Sequence, residues 1–168
     1  MKIAVVDDSK FTRMVIKQIL NDLSNTDFCW EAENGKVALE KNTRDPVDLI
    51  ISDLEMPVLD GLQLLKTVIG GEAETKCLLI SAFHKSNQPK IIDALKAGAI
   101  GFIEKNSLGK GFDINSLKKE IDKYINFLTQ DNILKKEIRS ISLQNNLNKS
   151  VINNRADIIS IIGSAGSL

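Results

Sequence analysis

The 168-residue chain has few of the residues that build disulfide frameworks and zinc sites, with only two cysteines and one histidine. Cys29 and Cys77 both lie in apolar runs and lack the C-x-x-C spacing of a metal or redox motif. Because free cysteines are usually buried, both are predicted to be buried, reduced thiols. A zinc centre and a disulfide-stabilised fold are therefore not expected.

The chain also lacks an excess of either charge and any long apolar segment. Its 22 basic and 22 acidic residues give a formal net charge of zero, so the net charge does not favour binding to nucleic acid or to an anionic membrane surface. No apolar stretch approaches the roughly 20 residues that span a bilayer. Met1 leads directly into a predicted strand rather than a signal-peptide core. We therefore expect a cytoplasmic protein that binds neither membrane nor nucleic acid directly.

Short apolar runs alternate with helical patterns along most of the chain. These runs predict five strands, at Lys2–Val6, Phe28–Ala32, Asp48–Ser52, Cys77–Ser81 and Ile100–Glu104. Helix starts are predicted near Ser9, Gly35, Gly61, Pro89 and Ile114. This (βα)₅ order predicts an α/β fold, a doubly wound, flavodoxin-like parallel sheet with helices on both faces.

Apolar residues mark two of the helical patterns. The first helix is predicted to run from Ser9 to about Leu23, with an apolar stripe of Phe11, Val15, Ile16, Ile19 and Leu20. The fourth carries Ile91, Ile92 and Leu95 and is predicted to end near Gly98.

Acidic residues directly follow two of the predicted strands. Asp7 and Asp8 come after the first strand and Asp53 after the third. Ligands of parallel sheets bind beyond the carboxyl ends of the strands, so these carboxylates are expected to gather there and to repel one another unless a cation joins them. Hard oxygen ligands without a supporting His or Cys favour Mg²⁺, which also binds phosphate oxygens. The sequence therefore predicts a site for magnesium and phosphate chemistry.

Three further features accompany these acids. Ser81 lies at the end of the fourth strand, Lys105 lies at the end of the fifth, and residues 53–61 form the run Asp-Leu-Glu-Met-Pro-Val-Leu-Asp-Gly. Together with the acids, these features resemble the response-regulator receiver domain. The resemblance covers roughly residues 1–126. It implies that Asp53 accepts a phosphoryl group from a sensor histidine kinase.

The resemblance also assigns roles around Asp53. Asp8, Asp53 and the backbone carbonyl of Glu55 would hold Mg²⁺, with Asp7 acting mainly through bound water. Lys105 would pair with one phosphate oxygen and the Ser81 hydroxyl with another. Purely structural roles stay open for these residues. Asp7 and Asp8 also suit a helix N-terminus, and Ser81 can simply form a hydrogen bond that satisfies a polar group at the end of its strand.

Phe102 matches the aromatic switch residue of receivers, although plain core packing would also explain it. In the switch interpretation Phe102 turns inward when Ser81 moves toward the phosphate, and a partner binds the face of the fourth helix, fifth strand and fifth helix. Asn106 replaces the proline that usually follows the conserved lysine. A cis bond before a non-proline residue costs about 3 kcal/mol, so a trans bond or a strained loop is expected.

The rest of the chain is expected to differ in character. Residues 127–155 are predicted to form a helical stalk and an Asn-rich linker, with a homodimer through the helix as one outcome. Residues 156–168 are interpreted as the start of a truncated output domain or a flexible tail.

Two families compete for this last segment. Residues 105–114 and 158–168 resemble the chemotaxis receptor methylesterase, with Ser164 matching its catalytic serine, whereas 161–164 also resemble AAA+ transcription activators. The preferred interpretation is a chemotaxis-linked phosphoacceptor response regulator; the alternatives are the regulatory fragment of a receptor-glutamate methylesterase or the receiver of an AAA+ activator. Because neither a full catalytic triad nor a Walker phosphate loop is present, this chain is not expected to hydrolyse esters or ATP.

Overall fold

The computed structural model describes residues 1–71, 74–81, 88–105, 113–131 and 133–134. The predictions for Asn106, Ser164 and the segment 135–168 lie outside the described residues. The chain divides into two compact units, Met1–Tyr124 and Ile125–Leu168. In the described part of the chain, no helix is both long enough and apolar enough to cross a bilayer.

The described elements alternate between strand and helix. In chain order they are β1 (Lys2–Val6), α1 (Lys10–Asn21), β2 (Asp27–Ala32), α2 (Gly35–Arg44), β3 (Leu49–Asp53), α3 (Gly61–Ile69), β4 (Lys76–Ser81), α4 (Gln88–Lys96), β5 (Gly101–Glu104) and α5 (114–131). The strands form one parallel sheet in the order β2-β1-β3-β4-β5. The predicted doubly wound α/β fold is confirmed, with strand boundaries that differ by one residue.

The three central strands carry the most apolar sequence because they are covered on both faces. Every residue of β3 is buried, as are all of β1 after Lys2 and all of β4 after Lys76. A parallel sheet with helices on both sides buries both faces of its inner strands. The edge strands β2 and β5 keep partly exposed positions. The continuous apolar runs therefore identify the middle of the sheet.

Side-chain caps fix where three of the helices begin. Ser9, Asn34 and Asp60 each accept a hydrogen bond from the backbone amide three residues later, which satisfies a donor that the first helical turn leaves unpaired. Each cap lies in a loop that leaves the carboxyl end of a strand. The caps thus fix the loops at the edge of the sheet where the acids lie.

The apolar stripe predicted for α1 is wrong at one position. Phe11 is 58% exposed, because Thr12 takes the inward position in the first turn of α1. On α4, Ile91 is buried, whereas Ile92 and Leu95 are exposed. Successive helical residues are rotated by about 100°, so the adjacent Ile91 and Ile92 cannot both face the core.

The two cysteines are free, but only one is buried. Cys77 on central β4 is buried, and this burial raises the pKa of its thiol to about 12. Cys29 is half-buried, so its predicted burial is wrong. It lies on edge strand β2, which has a neighbouring strand on one side only.

Gly61 brings the start of α3 into close contact with the backbone that carries Asp53. A Cβ atom built at Gly61 would overlap the carbonyl oxygen of Asp53 and come within 3.0 Å of Leu54 Cα. The Gly61 amide also donates to the Leu54 carbonyl at 3.0 Å. The loop after β3 therefore closes tightly on itself, and only glycine fits at this position.

We expect Gly61→Ala to lower the free energy of unfolding by about 2–3 kcal/mol, because the overlapping atoms are backbone and cannot rotate away. Gly70→Ala is the matched control, since its φ of −79° suits alanine and its nearest contact would be 3.5 Å. That variant should change stability by less than about 1 kcal/mol. Urea unfolding measures both, and equal stability of the two variants would contradict the close approach.

Candidate functional site

The structure brings Asp7, Asp8 and Asp53 together at the carboxyl edge of the sheet. Strands β1 and β3 are adjacent and parallel, with Val6 paired to Ser52, so the residues that follow them emerge side by side. Each of the three carboxylates offers an oxygen within 4.8 Å of the others. Asp7 and Asp53 are buried, and Asp8 is exposed.

Lys105 extends from the end of β5 into this acidic cluster. Its Nζ donates to Asp7 Oδ2 at 2.8 Å and to Asp53 Oδ2 at 2.7 Å. Its side chain is 16% exposed, so these are mostly desolvated, charge-assisted contacts. Its backbone amide donates to the Ser81 carbonyl at 2.8 Å, which ties the lysine to the end of β4. One ammonium group thus offsets part of the repulsion between two buried carboxylates.

Backbone amides bind the other oxygens of the two buried carboxylates. The Ser9 amide donates to Asp7 Oδ1 at 2.9 Å, and the Glu55 amide donates to Asp53 Oδ1 at 3.3 Å. Each buried carboxylate is therefore bound by an amide on Oδ1 and by Lys105 on Oδ2. The contact with Asp53 also places the Glu55 backbone beside the cluster, while the Glu55 side chain is exposed.

Burial disfavours the charged forms of the side chains in this site, and two pKa shifts report how far their neighbours oppose this effect. Burial raises the pKa of Asp7 above its ordinary value of 3.8, and the charge of Asp53 adds to this, although the Lys105 and Ser9 contacts oppose it. For Lys105, burial by itself would lower the pKa, but the charges and hydrogen bonds of Asp53 and Asp7 together raise it above 10.5. Lys105 is therefore charged at neutral pH, and a second cation beside Asp7 would relieve the remaining excess of negative charge.

Ser81 and Phe102 lie where the strand pattern predicted them. Ser81 is the buried last residue of β4, next in the sheet to the end of β3. Phe102 lies on β5, half-buried against the core cluster to which Ile91 and Ala94 of α4 belong. Ser81 therefore shares the sheet edge with Asp53, whereas Phe102 packs on the core cluster.

Arg13 was missed by the sequence analysis. Its Nη1 donates to the carbonyl oxygen of Asp7 at 2.7 Å, and its Nε pairs with Glu31 Oε1 at 3.3 Å. The available signal was its position, in the first turn of a helix that starts directly after paired aspartates. Charge and helical spacing alone favour an exposed position for an arginine, and the contact is to a backbone carbonyl, which no side-chain pattern reveals.

The chain matches the response regulator receiver domain family over residues 3–122. It is 36% identical over 125 residues to the chemotaxis protein CheY of Bacillus subtilis, covering 74% of this chain and 98% of that protein. It is 35% identical over 122 residues to protein-glutamate methylesterase/protein-glutamine glutaminase 1 of Syntrophomonas wolfei, covering 73% of this chain and 34% of that protein. The chain thus spans about a third of the length of the methylesterase relatives that it matches.

Solved structures agree with the sequence comparisons. The response regulator domain of Thermotoga maritima CheB matches with a TM-score of 0.67 and 31% identity, covering 75% of this chain and 93% of that one. The parallel sheet with helices on both faces gives this protein a flavodoxin-like fold, and its acidic cluster lies beyond the carboxyl edge of that sheet. The chain belongs to the response regulator receiver domain family, as its motifs predicted.

We expect Lys105→Met to destabilise the protein by about 3 kcal/mol at pH 7, the lower end of what removing one partner of a buried ion pair costs. Without the ammonium, protonation of Asp7, whose pKa is already raised by burial, relieves part of the unpaired charge, so the difference from wild type should shrink as the pH falls toward 4. In wild type, the raised pKa of Lys105 means that its contribution is complete below 10.5 and is lost as the pH rises through its folded-state pKa.

Lys118→Met is the matched control, because Lys118 pairs at 3.1 Å with exposed Asp22. An exposed pair contributes less than about 1 kcal/mol to the free energy of unfolding. The stability lost in Lys118→Met should therefore not increase comparably between pH 4 and 7. Urea unfolding across this range compares both variants with wild type. If the stability lost in Lys105→Met did not depend on pH, this would contradict the idea that Lys105 offsets the charge of the buried carboxylates.

Proposed function

We propose that this receiver domain of a two-component response regulator is phosphorylated on Asp53 by a sensor histidine kinase in a chemotaxis-linked pathway. The observation that carries the proposal is the position of Asp53, at the end of β3 with Lys105 at 2.7 Å and two further carboxylates beside it. A carboxylate flanked by a fixed cation and hard oxygen ligands suits phosphoryl transfer, in which positioning and charge neutralisation supply most of the catalysis. Such a pathway operates in the cytoplasm, where we propose that the domain works.

The transfer would use the side chains of this chain in a simple order. A carboxylate oxygen of Asp53 attacks the phosphorus of the phosphohistidine, and the new O–P bond forms as the P–N bond breaks. The bonding electron pair passes to the imidazole nitrogen, which takes a proton from solvent. Lys105 then pairs with one phosphoryl oxygen, and the Ser81 hydroxyl donates to another.

The residues present fit a magnesium ion. Asp7, Asp8 and Asp53 offer oxygens within 4.8 Å of one another, the Glu55 backbone lies beside Asp53, and burial together with the Asp53 charge raises the pKa of Asp7, an effect that a bound cation would oppose. Mg²⁺ prefers such oxygen ligands and keeps several waters. We propose that Asp8, Asp53 and the Glu55 carbonyl hold the ion and that Asp7 acts through its water. When bound, Mg²⁺ neutralises charge on the transferring phosphoryl group.

We propose that the face formed by α4, β5 and α5 is where a partner binds after phosphorylation. Ile92 and Leu95 of α4 are about half exposed, and half-buried Phe102 packs on the core cluster to which Ile91 and Ala94 of the same helix belong. Movement of Ser81 toward the phosphoryl group would let Phe102 turn inward and change this face, which is a shift between two packed states.

The proposed kinase partner has support from a structural relative. CheY6 of R. sphaeroides, 28% identical with a TM-score of 0.61, was solved in complex with the P1 domain of CheA3. Phe11 and Met14 of α1 are more than half exposed near the acidic cluster, and they offer an apolar surface for such a phosphodonor domain. A homodimer through the C-terminal helix, where Phe127 is exposed, stays a separate proposal.

A second candidate function is regulation of a receptor methylesterase. It is favoured by the 35% identity to the Syntrophomonas wolfei methylesterase over its receiver-sized segment. In that case the domain 1–126 would control an esterase domain joined through 127–155, with Ser164 as its catalytic serine. The coding sequence beyond Leu168 distinguishes the two candidates, because the methylesterase candidate requires it to supply the missing His and Asp of a catalytic triad.

We expect millimolar Mg²⁺ to raise the melting temperature, because an ion that binds only the folded state stabilises it by about 2.7 kcal/mol at 100 times its Kd. Asp8→Asn is the informative variant, since Asp8 is exposed and its loss also removes like-charge repulsion. It should melt higher than wild type without metal and gain less from Mg²⁺. An equal gain from NaCl at matched ionic strength would contradict a specific magnesium site.

We expect acetyl phosphate to add one phosphoryl group to wild type when Mg²⁺ is present and none to Asp53→Asn, since Asp53 is the more accessible of the two carboxylates that Lys105 contacts, 10% exposed against 1% for Asp7. Intact-mass spectrometry measures the addition. Asp27→Asn, at an exposed acid of β2, is the control and should be phosphorylated as wild type is. An equal mass gain in Asp53→Asn, or none in folded wild type, would overturn the proposal.

A further inference from the structure

We propose that Arg13 is a positioning residue for the phosphoryl-transfer site, which it shapes by holding the backbone of the turn between β1 and α1. Its guanidinium donates to the Asp7 carbonyl at 2.7 Å and lies 3.5 Å from the Asp8 carbonyl. Its side chain is only 12% exposed, and the contact to the Asp7 carbonyl is partly buried. The inference rests on the proposed function, because it concerns the same magnesium and phosphate site.

The contacts of Asp7 show how Arg13 would act. The Asp7 amide donates to the Ala32 carbonyl of β2 at 3.1 Å, while the Asp7 carbonyl is held by Arg13. The peptide groups on both sides of Asp7 are therefore fixed, and these set the direction of its Cα–Cβ bond. The carboxylate can then accept from Lys105 at 2.8 Å and from the Ser9 amide at 2.9 Å. Loss of the carbonyl contact would free the turn that carries Asp7 and Asp8.

Glu31 holds Arg13 in place from the neighbouring edge strand. Its Oε1 pairs with the Arg13 Nε at 3.3 Å, and its backbone carbonyl accepts from Lys41 Nζ at 2.7 Å. The three side chains line a cleft of about 220 Å³ beside the end of β2. A planar guanidinium can bind Glu31 and the Asp7 carbonyl at once, whereas the compact ammonium of lysine has no such fork.

Geometry and charge predict opposite effects of Arg13 on magnesium binding. A positive charge near the site repels Mg²⁺, so the charge of Arg13 by itself weakens binding. The hold on the turn pre-organises Asp7 and Asp8 and so strengthens binding, as groups that orient metal ligands generally do. A variant that keeps the charge but loses the fork separates the two effects.

The experiment measures the Kd for Mg²⁺ of Arg13→Lys and Arg13→Gln, from the dependence of melting temperature on Mg²⁺ concentration. We expect Arg13→Lys to raise the Kd about tenfold, in the range found when groups that orient metal ligands are removed. Arg13→Gln should raise it less, because loss of the repelling charge offsets part of the lost geometry. A wild-type Kd in Arg13→Lys, with tighter binding in Arg13→Gln, would show that charge alone acts and would overturn the proposal.

Two further measurements exclude a merely structural role. Urea unfolding without metal reports the stability of each variant, and lower stability with an unchanged Kd overturns the proposal. Lys41→Gln is the control, since Lys41 lines the same cleft and contacts Glu31 but not Asp7, and it should keep the wild-type Kd. The Kd is read without phosphorylation, so failure of acetyl phosphate to modify wild type would count against the proposed function alone.

Discussion

The ion cluster of Lys105 with Asp7 and Asp53 is the interaction on which the site depends. It joins the ends of β1, β3 and β5 through side chains 98 and 52 residues apart in sequence. The buried central strands supply the stability that lets these charges be desolvated, since burial alone disfavours the ionised form of each group. Replacing a buried ion cluster by apolar residues is often neutral or stabilising, so folding alone does not account for these charges, whereas the proposed phosphoryl transfer does.

The loops around this cluster are fixed by local contacts rather than by the sheet itself. Caps at Ser9 and Asp60 start the helices that follow the acids, and Gly61 packs directly on the Asp53 backbone. In the same loop, Val58 has a φ of +70° although it is β-branched and exposed, a backbone conformation that is strained for such a residue. Strained backbone of this kind concentrates near functional sites, and here it lies between Asp53 and Asp60.

Sequence predicted the order of elements, the parallel sheet and the approach of the three acids, because apolar runs and strand-end residues follow directly from the geometry of a covered sheet. It failed where the answer depends on rotation or on backbone contacts. Phe11 is apolar but lies one helical position away from the buried face, and Cys29 is only half-buried because β2 is an edge strand. Arg13 was missed because its shortest contact is to a main-chain oxygen.

The proposed phosphoacceptor is Asp53 and neither of the neighbouring aspartates. Borohydride reduction of the acetyl phosphate-treated protein tests this choice, because it converts an aspartyl phosphate to homoserine, which peptide mass mapping then locates. We expect homoserine at position 53 only, and only in samples treated with Mg²⁺. Homoserine at position 7 or 8, or a phosphoryl group that resists reduction, would contradict the proposal.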